Sequence, residues 1–276
     1  MRNKFFLLLF ILSVPFACSE NPVTGRRQFS LLPESQLQQL SRQQYSQFLS
    51  SNRVIPASSS RDAEMVKRVG SRIASAITAY YSEKGLSKSL EGFQWEFQLV
   101  QSPDINAWCM PGGKVVVYTG LLPVAANEAG LAVVMGHEIA HAIALHGNER
   151  MSQGLLQQMG GIALQVALLD KPAETRNLFM AAYGVGTTVG AMLPFSRKQE
   201  LEADRFGLLF SAMAGYNPSE AVPFWQRMAR ATGGANKPPE FLSTHPSDDT
   251  RISKMKHYTE EANAYYKKAV SNREEN

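Results

Sequence analysis

The stretch His137-Glu138-Ile139-Ala140-His141 decides the fold and the chemistry expected of this chain. Residues four apart lie on one face of a helix, so the two imidazoles can bind one metal ion together. A carboxylate beside the first imidazole is placed to act as a general base. The pattern therefore predicts a helix that carries two zinc ligands, His137 and His141, and a catalytic acid, Glu138.

The flanking sequence predicts the extent of this helix. Residues 131–136 and 142–145 are almost entirely apolar, which is typical of a helix buried nearly all round. Asn127 is a favourable N-cap, and Gly147 is a favourable stop. We therefore expect a central helix inside the core.

A third ligand must come from another part of the chain, because a catalytic zinc site typically has three protein ligands and one open position. The best candidate segment is 195–207, which is rich in carboxylates and continues as a buried helix. Glu200 and Asp204 are four residues apart and share a helix face, whereas Glu202 points away from that face. Spacing alone does not decide between Glu200 and Asp204.

The chain resembles the membrane-associated zinc peptidases that include the CAAX prenyl endopeptidases, the HtpX heat-shock protease and bacterial periplasmic lipoprotein relatives. The matching motifs are Asn21–Gln28, Asn106-Ala107 with Pro111-Gly112-Gly113, Tyr118–Leu121, His137–His141, Glu200–Asp204 and Ser243–Pro246. The resemblance implies an α+β, mostly helical, zincin-like fold, with a small sheet beside the motif helix. It also implies one zinc ion per chain.

The resemblance also implies roles for residues that spacing leaves open. Glu200 would be the third zinc ligand, and Asp204 would accept the second ring N–H of a ligating imidazole. His245 would donate a hydrogen bond to the oxyanion of the reaction, and Arg251 would support it. Zinc would lower the pKa of a water molecule, and Glu138 would take its proton before the water attacks a peptide carbonyl.

Simpler explanations of the same residues stay open. The two histidines could be a buried pair without metal, and Glu138 could be a solvated helix acid. Glu200 and Asp204 could pair with Arg197 or Arg205 on an exposed face. His245 could serve as the cap of a helix.

The remaining pattern is helix-rich with short strands. Alternation over Phe93–Leu99 and the apolar run Val115–Tyr118 predict two strands. Zinc peptidases of this type commonly bind an extended peptide along a sheet edge through main-chain hydrogen bonds. We therefore expect loose sequence specificity and a preference for unfolded segments.

The N-terminus predicts an export signal. Residues 1–17 have a positively charged start and a short apolar run, and Ala17-Cys18-Ser19 resembles a lipoprotein processing site. Lipidation of Cys18 would attach the protein to the outer membrane, on the periplasmic side of a bacterial cell envelope. Without lipidation, a disulfide between Cys18 and Cys109 stays open.

Residues 18–276 suit a single metallopeptidase domain. Within it, 152–194 looks like an apolar hairpin-like insertion that either covers the cleft, touches a membrane or packs in the core. Residues 262–276 are expected to be a loose tail. The formal net charge of +4 is small, and no basic aromatic patch or phosphate loop is present, so we expect no nucleic-acid partner. The sequence does not define an oligomeric state.

These patterns lead to a zinc-dependent endopeptidase that cleaves unfolded or misassembled proteins of the bacterial envelope. The alternative is a chaperone-like or assembly-scaffold protein that holds such clients, with slow or latent hydrolysis. A prenyl-protein endopeptidase would need spanning helices, which the sequence does not support.

Overall fold

The computed structural model describes residues 18–169, 176–177, 180–184, 193–231, 241, 245 and 249–274. The chain divides into two compact units. The first unit contains residues 1–34 and 145–199, and the second contains 35–144 and 200–276. The single domain expected over 18–276 stays a prediction.

The second unit contains a four-stranded sheet with the strand order β3-β4-β6-β5. Strands β4 and β6 are parallel, and the other two neighbouring pairs are antiparallel. The strands are β3 (Val54–Ile55), β4 (Glu96–Val100), β5 (Ala107–Met110) and β6 (Lys114–Tyr118). Both predicted strands are therefore present, and the small sheet in a mostly helical fold is confirmed.

Helices surround this sheet. Preceding or flanking it are α1 (Glu34–Ser51), α2 (Arg61–Glu83) and α3 (Leu122–Ala125). After the sheet come α4 (Glu128–Ile143), α5 (His146–Ala167), α6 (Leu193–Met213), α7 (Ala221–Ala231) and α8 (Asp249–Glu274). The stripe Val66, Val69, Ile73 and Ile77 of α2 is fully buried, and α2 packs against β4 and α4. The spacing of this stripe is that of one helix face, which explains why α2 forms there.

Helix α4 carries the histidine motif and is buried on all sides over Gly130–Ile143. Its predicted N-cap is confirmed, because the Asn127 side chain accepts a hydrogen bond from the Gly130 N–H at 2.8 Å. The predicted stop at Gly147 is wrong. Leu145 adopts a left-handed backbone conformation (φ 56°), and α5 begins at His146, so Gly147 lies inside that helix. A left-handed residue ends the helix as expected, but it is a leucine.

Helices α4 and α6 approach each other backbone to backbone where glycines replace side chains. A Cβ atom on Gly207 would lie 2.6 Å from both the Gly136 carbonyl carbon and the His137 nitrogen. Next to this contact, the Ser211 hydroxyl donates to the Ala132 carbonyl at 2.7 Å. The two helices that carry candidate ligands therefore meet at a distance that only glycine permits.

The first unit contains a two-stranded ribbon and helix α5. Strand β1 (Cys18–Glu20) pairs antiparallel with β2 (Arg27–Phe29). Along α5, exposed apolar side chains recur at helical spacing: Met151, Leu155, Met159, Ile162 and Val166. Residues 152–167 of the expected insertion belong to α5 and 193–194 begin α6, but much of the rest lies outside the described residues.

Two further findings concern the ends and the apolar helices. Residues 262–274, expected as a loose tail, form the last part of α8. In the described part of the chain, no single helix is long and apolar enough to cross a bilayer. The consecutive helices α4 and α5 meet that test together, as a bent pair judged by length and composition.

The contact between α4 and α6 makes a testable prediction. Gly207→Ala forces a methyl group against the backbone of α4, so we expect the free energy of unfolding to fall by about 1–3 kcal/mol. Gly154→Ala in α5 is the matched control, since a Cβ there meets no atom within 4 Å. Replacing that helical glycine should raise stability by about 0.5–1 kcal/mol. Urea unfolding measures both values, and equal effects of the two substitutions would show that α4 and α6 tolerate a wider separation.

Candidate metal centre

Four buried side chains of the second unit converge on one point. His137 and His141 come from α4, Glu200 comes from α6, and His245 follows α7. One potential ligand atom from each residue lies within 4.8 Å of those of the other three. Each residue is at most 7% exposed. The sequence motif and the carboxylate segment are therefore brought together as predicted.

The spacing of the donor atoms fits a single small ion. The Nε2 atoms of His137 and His141 lie 3.1 Å apart, and they lie 3.4 and 3.3 Å from the carboxylate oxygens of Glu200. Ligands bound tetrahedrally at zinc distances would be separated by about 3.3–3.4 Å. Imidazole nitrogens and a carboxylate also form the donor set that zinc commonly takes. These residues therefore fit a metal ion, and a His/Glu metal site is present.

The structure separates the two acids that sequence spacing left tied. Glu200 belongs to the donor group, whereas Asp204 lies one turn further along α6. Its Oδ1 accepts a hydrogen bond from Nδ1 of His137 at 2.9 Å. Since a carboxylate can only accept, the proton of His137 is on Nδ1 and the lone pair of Nε2 faces the donor group. Asp204 thus orients a ligand, as the resemblance implied.

Arg251 neutralises the acids of the site. Its Nε and Nη2 donate to the two carboxylate oxygens of Asp204 at 2.8 and 2.7 Å, and its Nη1 lies 3.2 Å from Glu200. The guanidinium also lies over the ring of Trp225, 4.3 Å from its centre. These contacts fix Arg251 against the carboxylates. Its expected support of an oxyanion stays a prediction.

The charges of the site shift its proton equilibria. Burial by itself disfavours an ionised Asp204, but the Arg251 guanidinium and His137 hold the pKa of that carboxyl below its usual range. Burial likewise opposes a charged His137, but the hydrogen bonds and charges of Asp204 and Glu200 raise the pKa of His137 to about 9. A metal ion that binds Nε2 therefore displaces a proton near neutral pH.

Glu138 is positioned beside the donor group but is not part of it. Its carboxylate is buried, and Oε1 has no hydrogen-bond partner among the described residues. That oxygen lies 3.4 Å from Nε2 of His245. A buried carboxylate oxygen without a partner needs a donor, and a water molecule in the site would supply one. The arrangement suits the acceptance of a proton.

His245 lies closer to the donor group than its expected role requires. Its Nδ1 is 3.3 Å from Nε2 of His137 and 3.0 Å from Glu200 Oε2, which makes it a fourth candidate ligand. The ring stacks on Phe241, with centres 4.8 Å apart. Sequence reasoning considered His245 only as a hydrogen-bond donor, and its neighbours in the expected helix start, 244 and 246–247, lie outside the described residues. Only chain folding shows the fourth position, since 245 is distant from the other donors in sequence.

The other residues singled out in the sequence lie apart from the metal centre. His146 is fully buried in the first unit and does not belong to the donor group. Cys109 lies on β5, where burial and the charge of Glu138 raise the pKa of its thiol, which disfavours a nucleophilic thiolate. The backbone of Cys18 pairs with Phe29 in the ribbon of the first unit. The disulfide between the two cysteines stays untested.

The hydrogen bond between Asp204 and His137 makes a second testable prediction. Asp204→Asn removes the charge that orients His137 and pairs with Arg251, so we expect the dissociation constant for zinc to rise about 10- to 100-fold. Glu202→Gln, on the same helix but outside the donor group, should leave it unchanged. Competition with a chelator of known affinity measures both constants. An unchanged constant in Asp204→Asn would show that packing alone orients His137.

Comparison with known proteins matches the chain to a peptidase family. A model described as Peptidase family M48 matches residues 60–259. The Mitochondrial metalloendopeptidase OMA1 of Schizosaccharomyces pombe is 37% identical over 174 residues, 63% of this chain and 49% of the relative. The human Metalloendopeptidase OMA1, mitochondrial, is 31% identical over 90% of this chain and 47% of its own length. A Beta-barrel assembly-enhancing protease of Yersinia pestis is 34% identical over 58% of this chain and 33% of its length. The chain thus spans about half or less of the length of these relatives.

These relatives contradict the predicted location. The N-terminal pattern predicted the periplasmic side of a bacterial envelope and a lipid anchor at Cys18 in the outer membrane, yet the relatives from yeast and human are named as mitochondrial proteins. Residues 1–17 lie outside the described residues. The prediction depended on the composition of that segment, and a charged start followed by a short apolar run does not fix the compartment.

Proposed function

The chain belongs to peptidase family M48, and on this basis we propose that it is a zinc-dependent endopeptidase that cleaves unfolded or misassembled proteins. Membership of the family confirms the metallopeptidase class expected from the sequence. The observation that carries the proposal is the convergence of His137, His141 and Glu200 beside Glu138, whose Oε1 has no partner among the described residues.

Zinc is the proposed ion because of the donor set. Two imidazoles and one carboxylate are typical of catalytic zinc in peptidases. Harder ions such as calcium and magnesium prefer sites built from oxygen donors alone. The buried carboxylates and Arg251 leave the surroundings close to neutral, so a divalent cation would be stabilised by Glu200 and Asp204.

The chemistry follows from where protons can go. Bound zinc would polarise the peptide carbonyl and acidify a water molecule. Glu138 would accept the proton of that water on its unpartnered oxygen and pass it to the leaving amine. His245, 3.4 Å from Glu138, is close enough to donate a hydrogen bond near the same reacting atoms. Asp204 would hold His137 in one tautomer throughout.

The free edge of strand β5 is the proposed binding surface for substrate. In the four-stranded sheet, β5 (Ala107–Met110) pairs with β6 on one side only, and it packs against the motif helix α4. A peptide that adds to this edge would bind through main-chain hydrogen bonds, which do not require a particular sequence. Only an extended segment can add in this way, so unfolded chains would be preferred over folded ones.

The names of the relatives support a role in the quality control of membrane-associated proteins. One bacterial relative is named for the assembly of β-barrels, and others are named as mitochondrial. A mitochondrial location takes the place of the bacterial envelope in this proposal. The native substrates would be misassembled proteins of that compartment.

A second candidate function is a client-holding protein whose hydrolysis is latent. The specific observation in its favour is His245, because a fourth protein ligand would complete a tetrahedral zinc site and leave no position for water. On this alternative, His245 would have to leave the donor group before cleavage could begin. The residues around it, 242–244 and 246–248, lie outside the described part of the chain.

The first test concerns Glu138. Glu138→Gln keeps the shape of the side chain but removes the base, so we expect bound zinc to stay equal and cleavage of an unfolded protein to fall by about 100-fold or more. Fragment formation over time measures the rate, and metal analysis checks the zinc content. Cleavage at an undiminished rate would exclude Glu138 as the base.

The second test concerns His245. His245→Phe keeps an aromatic ring against Phe241 but removes both nitrogens. If His245 stabilises the oxyanion, as we propose, turnover falls by about 100-fold while zinc stays bound. A rise in turnover would instead assign His245 to the latent state. Zinc content is measured in the same samples, so that loss of metal is not mistaken for loss of the donor.

A further inference from the structure

We propose that a buried network of Arg26, Glu149 and Gln199 positions the metal ligand Glu200, so that the N-terminal segment of the chain sets the affinity for the metal. The inference deepens the proposed function, on which it rests. It gives a role to the motif Asn21–Gln28, which the chemistry of the site does not use.

The network is a bidentate ion pair with a third partner. Nη1 and Nη2 of Arg26 each donate to one carboxylate oxygen of Glu149, both at 2.6 Å. The amide nitrogen of Gln199 donates to Oε2 of the same carboxylate at 2.7 Å. Glu149 is 2% exposed and Gln199 is fully buried. Paired and shielded from water, these contacts have the geometry of strong, charge-assisted hydrogen bonds.

A tight turn presents Arg26 to this network. The Asn21 side-chain oxygen accepts from the backbone N–H groups of Val23 and Thr24 at 3.0 and 3.1 Å. The Asn21 N–H donates to the Arg26 carbonyl at 2.9 Å, and Gly25 adopts a positive φ of 64° that favours glycine. The turn is therefore rigid, and Arg26 projects from a fixed backbone.

The position of the network along the chain connects it to the metal centre. Gln199 immediately precedes Glu200 in helix α6, and Glu149 lies in α5, which follows the helix of His137 and His141 after one left-handed residue. Successive residues of a helix move together, so a fixed Gln199 limits how far α6 can rotate or slide at Glu200. Metal sites lose affinity when a ligand is displaced by about 1 Å or less.

The charge of Arg26 is needed for this restraint. A buried carboxylate without its partner is strongly disfavoured and recruits water or moves. Without Arg26, Glu149 would no longer present a fixed acceptor to Gln199. Arg26 is therefore a positioning residue, acting on the ligand through Glu149 and Gln199.

The test uses the full chain and three variants, Gln199→Ala, Arg26→Ala and Arg26→Lys. Gln199→Ala keeps the ion pair and removes only the link to α6, so it tests the inference even if Arg26→Ala fails to fold. We expect the zinc dissociation constant to rise about tenfold in Gln199→Ala and more in Arg26→Ala. Lysine cannot donate in bidentate fashion and should restore only part of the affinity. The ligand-field spectrum of the cobalt-substituted protein should change in the same order.

A matched control separates positioning from stability. Arg68 also pairs with two acids, Glu64 and Glu128, but it is 42% exposed, and Arg68→Ala should leave the zinc constant unchanged. Urea unfolding is measured with and without zinc. If Gln199→Ala and Arg26→Ala only destabilise the fold, the metal-free and zinc-bound proteins lose stability equally and the zinc constant stays within twofold of the native value. That result would overturn the inference.

The readout does not depend on peptidase activity. A native chain that binds zinc but cleaves nothing would defeat the proposed function, while the ratio of zinc constants would still decide the inference. A native chain that fails to bind zinc would overturn both.

Discussion

The burial of ionised groups is the constraint on which the metal centre depends. Glu200 and Asp204 lie in the interior, where an isolated carboxylate is strongly disfavoured. Arg251 pairs with both, and His137 donates to Asp204. Because each acid has a cationic or hydrogen-bonding partner, the acids stay ionised at the point where a divalent cation would bind. The site is held open by charge balance rather than by exposure to solvent.

This charge balance requires two helices to approach closely. Ligands from α4 and α6 can reach one point because Gly136 and Gly207 bring the helix backbones into direct contact. With side chains at these positions, the carboxylate of Glu200 would be displaced from the imidazoles. Small residues at the crossing and long polar residues next to it are thus parts of one arrangement. The first fixes the distance between the helices, and the second uses that distance.

Networks of buried charge recur in both units of the chain. In the second unit, Arg251 holds Asp204; in the first, Arg26 holds Glu149 in the same bidentate manner. In each case an acid orients a neighbouring residue, His137 in one and Gln199 in the other. Membership of peptidase family M48 explains the first network through its metal chemistry. The second follows the same physical rule, since a buried acid that is fixed by arginine makes a rigid acceptor.

The sequence by itself determined the central helix and its two imidazoles, because their spacing equals one helical turn. It also predicted the N-cap at Asn127, since capping is local. It could not choose between Glu200 and Asp204 from spacing, because both lie on one helix face. It likewise did not place His245 among the donors. Only the tertiary structure decided these points, since which atom reaches the metal depends on the distance and angle between chain segments that are far apart in sequence.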